Sequence, residues 1–187
     1  MSQNKNKHKK HTEVFQSFNI IVFGGDGDLA LRKIFPAIFH REQDGQLLCS
    51  YNVVAITRNI PDVVKFNKDL VHFLKLTAEE QTTEESIVEF ANKVQLIRAA
   101  DTTIADYQSL ANYLNQFPDY QNIYYFSTPS AAFGPIAQNL KASGLVKDSS
   151  KVVLEKPLGY SLESSKKINS DITKAFNEHQ IYRIDHY

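Results

Sequence analysis

Six short apolar runs recur along the chain, each bounded by turn residues: Phe18–Phe23, Tyr51–Ile56, Val94–Ile97, Ile123–Phe126, Lys151–Leu154 and Ile181–Ile184. Most are continuously apolar rather than alternating, the pattern of parallel strands covered on both faces. Between them the apolar period lengthens. Leu31, Ile34, Phe35, Ile38 and Phe39 form the stripe that buries one side of a helix. Pro36 interrupts that stripe and predicts a kink near residues 32–36. Two helical stretches, Asp62–Leu74 and Ala78–Lys93, separate the second and third runs. Thr77 with Glu80 reads as a capping box opening the second of them. Thr128–Pro129 predicts an N-cap and first helical residue, with that helix reaching Leu140 and stopped by Gly144. Ser161 caps a further helix running to about Phe176. Strand–helix alternation of this kind predicts an α/β fold: a doubly wound parallel sheet, Rossmann-like, of about six strands with helices on both faces.

Composition narrows the picture. The 187 residues, 42% apolar and 22% charged, suit one globular domain with a full core. Residues 18–187 are read as that domain, and residues 1–17 as a disordered basic tail rich in lysine and histidine. No apolar region of ~7–15 residues comes before the first strand candidate, so the tail is not read as a secretory signal, and no stretch approaches the ~18 apolar residues of a membrane span. Basic and acidic residues number 21 each. That balance gives no electrostatic reason for nucleic-acid or membrane binding. The single cysteine, Cys49, excludes an internal disulfide and fits a reducing, cytoplasmic setting.

In a doubly wound sheet, ligands bind beyond the carboxyl ends of the strands. Four unusual segments fall there. After the first run comes Gly24-Gly25-Asp26-Gly27-Asp28-Leu29-Ala30. Gly24 allows a tight turn, Gly27 lets backbone approach a pyrophosphate, and Ala30 lets the helix lie close to the sheet; the helix start offers N–H groups to phosphate. After the second run comes Arg58, where an acid would favour NAD and a guanidinium accommodates the 2′-phosphate of NADP. After the fifth comes Glu155-Lys156-Pro157-Leu158-Gly159. Pro157 holds Lys156 extended, as a fixed cation for phosphate or substrate, or as half of a surface pair beside a turn. The last is Arg183-Ile184-Asp185-His186-Tyr187. Neighbouring side chains diverge on an extended chain, so His186 is read as a substrate contact while Asp185 reaches another group.

The glycine loop with Asp28-Leu29-Ala30, Arg32, Lys33 and Pro36, then Glu155-Lys156-Pro157, then Arg183 to Tyr187, resembles the glucose-6-phosphate dehydrogenase family from about Phe18 to the last residue. The resemblance implies NADP-dependent oxidation of glucose 6-phosphate to a 6-phosphogluconolactone, a step of the pentose phosphate pathway. It implies that Gly24, Gly25, Asp26, Gly27, Asp28 and Leu29 hold the dinucleotide and that Arg58 holds its 2′-phosphate. Ala100 and Asp101 would touch the cofactor, and Lys33 would lie near cofactor and substrate. Lys156 would bond substrate and the nicotinamide side. His186 and Tyr187 would contact the sugar phosphate, and Asp185 would stabilise the charged form of the catalytic base. That base, a histidine, belongs in this family to a following β+α domain that also supplies the contact between subunits of a homo-oligomer. The 187 residues are therefore expected to lack it, to bind cofactor weakly and to turn over little by themselves, since general-base help is worth ~10²–10⁴ in rate.

Asp26 departs from the family pattern, which has a small hydroxyl, neutral or basic residue there. An anion about 5 Å from a 2′-phosphate costs about 3 kcal/mol at an effective dielectric of about 20, so use of NAD beside NADP is expected to be open. Two other readings remain: a sugar or inositol dehydrogenase with the same Glu-Lys-Pro lysine, or a non-catalytic nucleotide-binding module.

Overall fold

Six parallel strands form one sheet in the order β3-β2-β1-β4-β5-β6, where β1 is Phe18–Phe23, β2 Tyr51–Thr57, β3 Val94–Arg98, β4 Gln121–Phe126, β5 Lys151–Glu155 and β6 Ile181–Ile184. The order reverses at β1, with β2 on one side and β4 on the other, the switch point at which such sheets open a crevice. The structure is a computed structural model and describes residues 16–59, 62–100, 103–156, 158–159 and 161–185. The tail expected over residues 1–17 lies outside them except for its end. There Ser17 is already tied to the sheet, its carbonyl accepting from the Gln121 N–H at 2.9 Å.

Helices cover both faces. On one, Ile21, Phe23, Val54, Ile56, Tyr124, Phe126, Val152 and Leu154 pack against α4 (Gln108–Leu114), α5 (Phe133–Ala142) and α6 (Leu162–Thr173). On the other, Val22, Val53, Ala55 and Val94 pack against α1 (Phe35–Gln43), α2 (Val63–Thr77) and α3 (Glu84–Lys93). Double coverage explains the unbroken apolar run in β2, whose last five residues are all buried. Coverage of the second face thins towards β4 and β5, where Ile123, Tyr125, Val153 and Glu155 are only half-buried and the burial pattern alternates.

At the edge opposite the strands' carboxyl ends, three asparagines fix the register. Asn19 of β1 pairs across the sheet with Asn52 of β2 and Asn122 of β4. Asn19 donates to Asn122 Oδ1 at 2.8 Å and accepts from Asn52 at 2.8 Å, and Asn19 is fully buried. A slip of one residue would send these amides to the other face and leave them unpaired in the core.

Several expected boundaries move. The kink before Pro36 is a π turn over Ala30–Ile34, closed by the Phe35 N–H on the Ala30 carbonyl. Proline lacks an N–H, and the wider turn accommodates the missing rung. Thr77 is not a cap: it ends α2, its hydroxyl donating back to the Phe73 and Leu74 carbonyls. Thr83 caps α3 instead, accepting from the Ser86 N–H, so that helix starts at Glu84. Thr128 does not cap α5, which begins at Phe133 after a 3-10 turn at Ser130–Ala132. Ser161 caps α6 as expected, although α6 ends at Thr173, before Phe176.

Candidate functional site: a cavity at the switch point

The turn after β1 is built by contact with both neighbouring strands. Ser127 N–H donates to the Phe23 carbonyl at 2.9 Å, and Gly25 N–H donates to the Ile56 carbonyl at 2.9 Å. The Gly27 N–H closes the turn on the Gly24 carbonyl, and the Leu31 N–H then starts the helix from the Gly27 carbonyl. Gly24 has φ +75°, and a Cβ there would collide with the Ser127 carbonyl. Gly25 backs onto β2: its Cβ would lie 2.7 Å from both Cα and Cβ of Ala55. The turn is thus wedged between β2 and β4, and only glycine fits at these two positions.

This wedge leaves a cavity of about 460 Å³ at the carboxyl edge. Gly24, Asp26 and Gly27 form its floor, Arg58, Asn59 and Ala99 one wall, and Ser127 to Pro129 with the start of α5 the other. Two hydroxyls of the second wall, Ser127 Oγ and Thr128 Oγ1, are buried without a hydrogen-bond partner, which is costly unless a ligand group pairs with them. Backbone without room for side chains, an apolar wall and unpaired hydroxyls fit a dinucleotide, whose phosphates need close backbone approach and whose rings need apolar cover.

Asp26 is held in place from β2. Thr57 Oγ1 donates to Asp26 Oδ2 at 2.7 Å while accepting from the Asn59 N–H at 3.2 Å. Two strands away, β5 and β6 bring together Lys156 and Asp185. The Lys156 N–H extends the ladder to the Ile184 carbonyl at 3.0 Å. Its ammonium sits 3.1 Å from Asp185 Oδ1 and 3.2 Å from Oδ2, with both side chains half-exposed. Beside them, the Tyr125 hydroxyl donates to Glu155 Oε1 at 2.5 Å. Burial, first, and that carboxylate push the Tyr125 phenol well above the usual tyrosine range.

A family model described as the glucose-6-phosphate dehydrogenase NAD binding domain matches residues 21–187. The chain belongs to the glucose-6-phosphate dehydrogenase family. It is 35% identical over 175 residues to glucose-6-phosphate 1-dehydrogenase of Mycolicibacterium smegmatis, covering 90% of this chain and 35% of that protein. It is 36% identical over 175 residues to the Bacillus subtilis enzyme of the same name, with the same two coverages. Among solved structures, glucose-6-phosphate 1-dehydrogenase from Mycobacterium avium superimposes with a TM-score of 0.79 at 25% identity, over 91% of this chain and 36% of that one. A glucose-6-phosphate dehydrogenase in complex with its substrate glucose-6-phosphate shares the fold, with a TM-score of 0.81 at 23% identity over 93% and 38%. The chain thus spans about a third of the length of the relatives it matches. What it carries is the family's nicotinamide-dinucleotide domain.

The sequence-expected residues of this glucose-6-phosphate dehydrogenase domain divide into groups. Gly24, Asp26, Gly27 and Arg58 line the cavity. Gly25 supports it from behind, Asp28 pairs with Arg32, and Leu29 packs on the second core. Ala100 is buried next to Ala99, the residue that lines the wall. Lys33 is exposed and away from the cavity wall. Asp101, His186 and Tyr187 lie outside the described residues. Sequence reasoning missed the wall at Ser127–Pro129, reading it only as a helix start; its position after β4, at the strand reversal, was the available signal. Among the described residues no helix is long and apolar enough to cross a membrane, and no cluster of three or more His, Cys, Asp or Glu could hold a metal.

Proposed function

We propose that this chain is the coenzyme-binding part of an enzyme that oxidises C1 of glucose 6-phosphate to the lactone, with NADP or NAD as hydride acceptor. The observation that carries this reading is the glycine turn wedged against β2 and β4 at the switch point, in a chain whose family match runs from residue 21 to 187. When bound, the dinucleotide supplies a nicotinamide ring that accepts the hydride. Gly24 to Leu29 hold the dinucleotide, with the helix start turned to its pyrophosphate, and the Arg58 guanidinium faces the 2′-phosphate. Ala100 and Asp101 bound the adenosine side, and Lys33 approaches from the π turn before α1. Lys156 holds a substrate oxygen near the nicotinamide. Its pairing with Asp185 fixes the ammonium at the carboxyl edge and leaves the carboxylate within reach of a base carried by another part of the enzyme. His186 and Tyr187 contact the sugar phosphate. No histidine of the described residues lines the cavity, and the acceptor of the C1 hydroxyl proton is assigned to that other part of the enzyme. Soluble, cytoplasmic and homo-oligomeric behaviour of the whole enzyme belongs to the same reading.

Calorimetric titration of the purified 187-residue chain with NADP, NAD and glucose 6-phosphate tests it. Dinucleotide binding that glucose 6-phosphate strengthens is expected, with no NADPH formed. Dinucleotide binding indifferent to the sugar phosphate would favour a non-catalytic module. NADPH formation by the chain alone would contradict the placement of the proton acceptor elsewhere.

A further inference from the structure

We propose that Asp26 serves as the ribose-hydroxyl acceptor of the adenosine half, so that this site takes NAD at least as readily as NADP; the inference rests on the dinucleotide reading above. A doubly wound fold that prefers NAD presents an acid at the carboxyl end of β2 to bond the ribose hydroxyls. Here that strand ends in Thr57 and is followed by Arg58, with no acid of its own. The acid arrives from the neighbouring turn instead. Thr57 is 2% exposed, and its oxygen accepts from the Asn59 N–H, so its proton is directed at Asp26 Oδ2. The carboxylate is thereby carried from the turn after β1 to the position beyond β2.

Only one of its oxygens is used. Oδ1 makes no hydrogen bond among the described residues, and an ionised carboxylate retains acceptor sites on both oxygens. A ribose 2′-hydroxyl is a donor and completes this arrangement. A 2′-phosphate brings only acceptors and up to two negative charges, and it finds no donor in Asp26.

The surroundings act in the same direction. A smaller cavity of about 220 Å³ adjoins at Asp26 and is bordered by Asp62, Lys65 and Asp69 as well. Among the described residues three carboxylates there border one ammonium, and that ammonium is committed to Asp69 at 2.5 Å. Among the described residues, Arg58 is the one cationic side chain lining the main cavity, and Asp26 lines that cavity with it.

Isothermal titration of the folded chain with NAD and with NADP, in wild type, Asp26→Ser and Asp26→Asn, decides the matter, with circular dichroism to verify folding. Expected results are NAD binding equal to or tighter than NADP in the wild type and a shift of at least tenfold towards NADP in Asp26→Ser. Asp26→Asn, which keeps the shape and removes the charge, should shift part of the way. A wild type that binds NADP tenfold or more tightly than NAD overturns this inference alone, as does an Asp26→Ser ratio equal to the wild-type one. A folded chain that binds neither dinucleotide contradicts the dinucleotide site itself, and this inference with it.

Discussion

Gly25 illustrates how much of the site depends on single residues. Its missing side chain lets the turn press against Ala55 of β2, and any Cβ must push two pieces of backbone apart. Gly25→Ala should cost ~1–3 kcal/mol as an overpacked contact, measured by urea unfolding, and should weaken dinucleotide binding because the cavity floor moves. Lys156 and Asp185 differ in kind. Their ion pair is half-exposed, so Asp185→Asn should change stability by less than ~1 kcal/mol while abolishing the strengthening of dinucleotide binding by glucose 6-phosphate. A stability loss larger than that would mark the pair as structural. At this scale the sequence was readable where chemistry is local. Gly24, with its positive φ, and Arg58, at a strand end, could be named from position. The hold of Thr57 on Asp26 could not, because those residues stand 31 apart and meet only through the β1–β2 pairing.

The strands were legible as elements because an apolar run between turn residues carries its own signal, and all six lie where the pattern put them. Helix starts were less so. Thr77 and Glu80 match a capping box, yet the stripe Phe66, Leu70, Leu74 buries against the second core and draws α2 on through Thr77. Packing outweighed the local motif. The seven-residue α4 is too short to show a helical period, so it escaped notice altogether. The asparagine ladder across β2, β1 and β4 gives the element scale its own prediction. Asn19→Ala leaves the amides of Asn52 and Asn122 without their shared partner, and should cost ~1–3 kcal/mol with no effect on dinucleotide affinity, since it lies at the opposite edge. A loss of affinity matching the loss of stability would show that the ladder and the site are not independent.

The whole molecule is a sheet with two cores that deliver one crevice, and its stability should report on that packing. Tyr124 lies in the larger core with its hydroxyl donating to the Leu145 carbonyl at 2.6 Å. Burial pushes its phenol far above the usual tyrosine range. A phenol raised in the folded state contributes stability that is complete below the unfolded-state pKa of about 10 and is lost as pH rises beyond it. Spectrophotometric titration should therefore show Tyr124 ionising only when the chain unfolds at high pH, and Tyr124→Phe should lower the amplitude of that step by one phenol. The family match covers the fold and the coenzyme cavity together, and the central claim is that a dinucleotide lies on the turn at the switch point. Amide hydrogen exchange of the chain with and without NAD or NADP tests it most directly. Slower exchange is predicted at residues 24–31, 57–59 and 127–132, with the Asn19 edge unchanged; protection confined to other segments, or none at saturating dinucleotide, would contradict it.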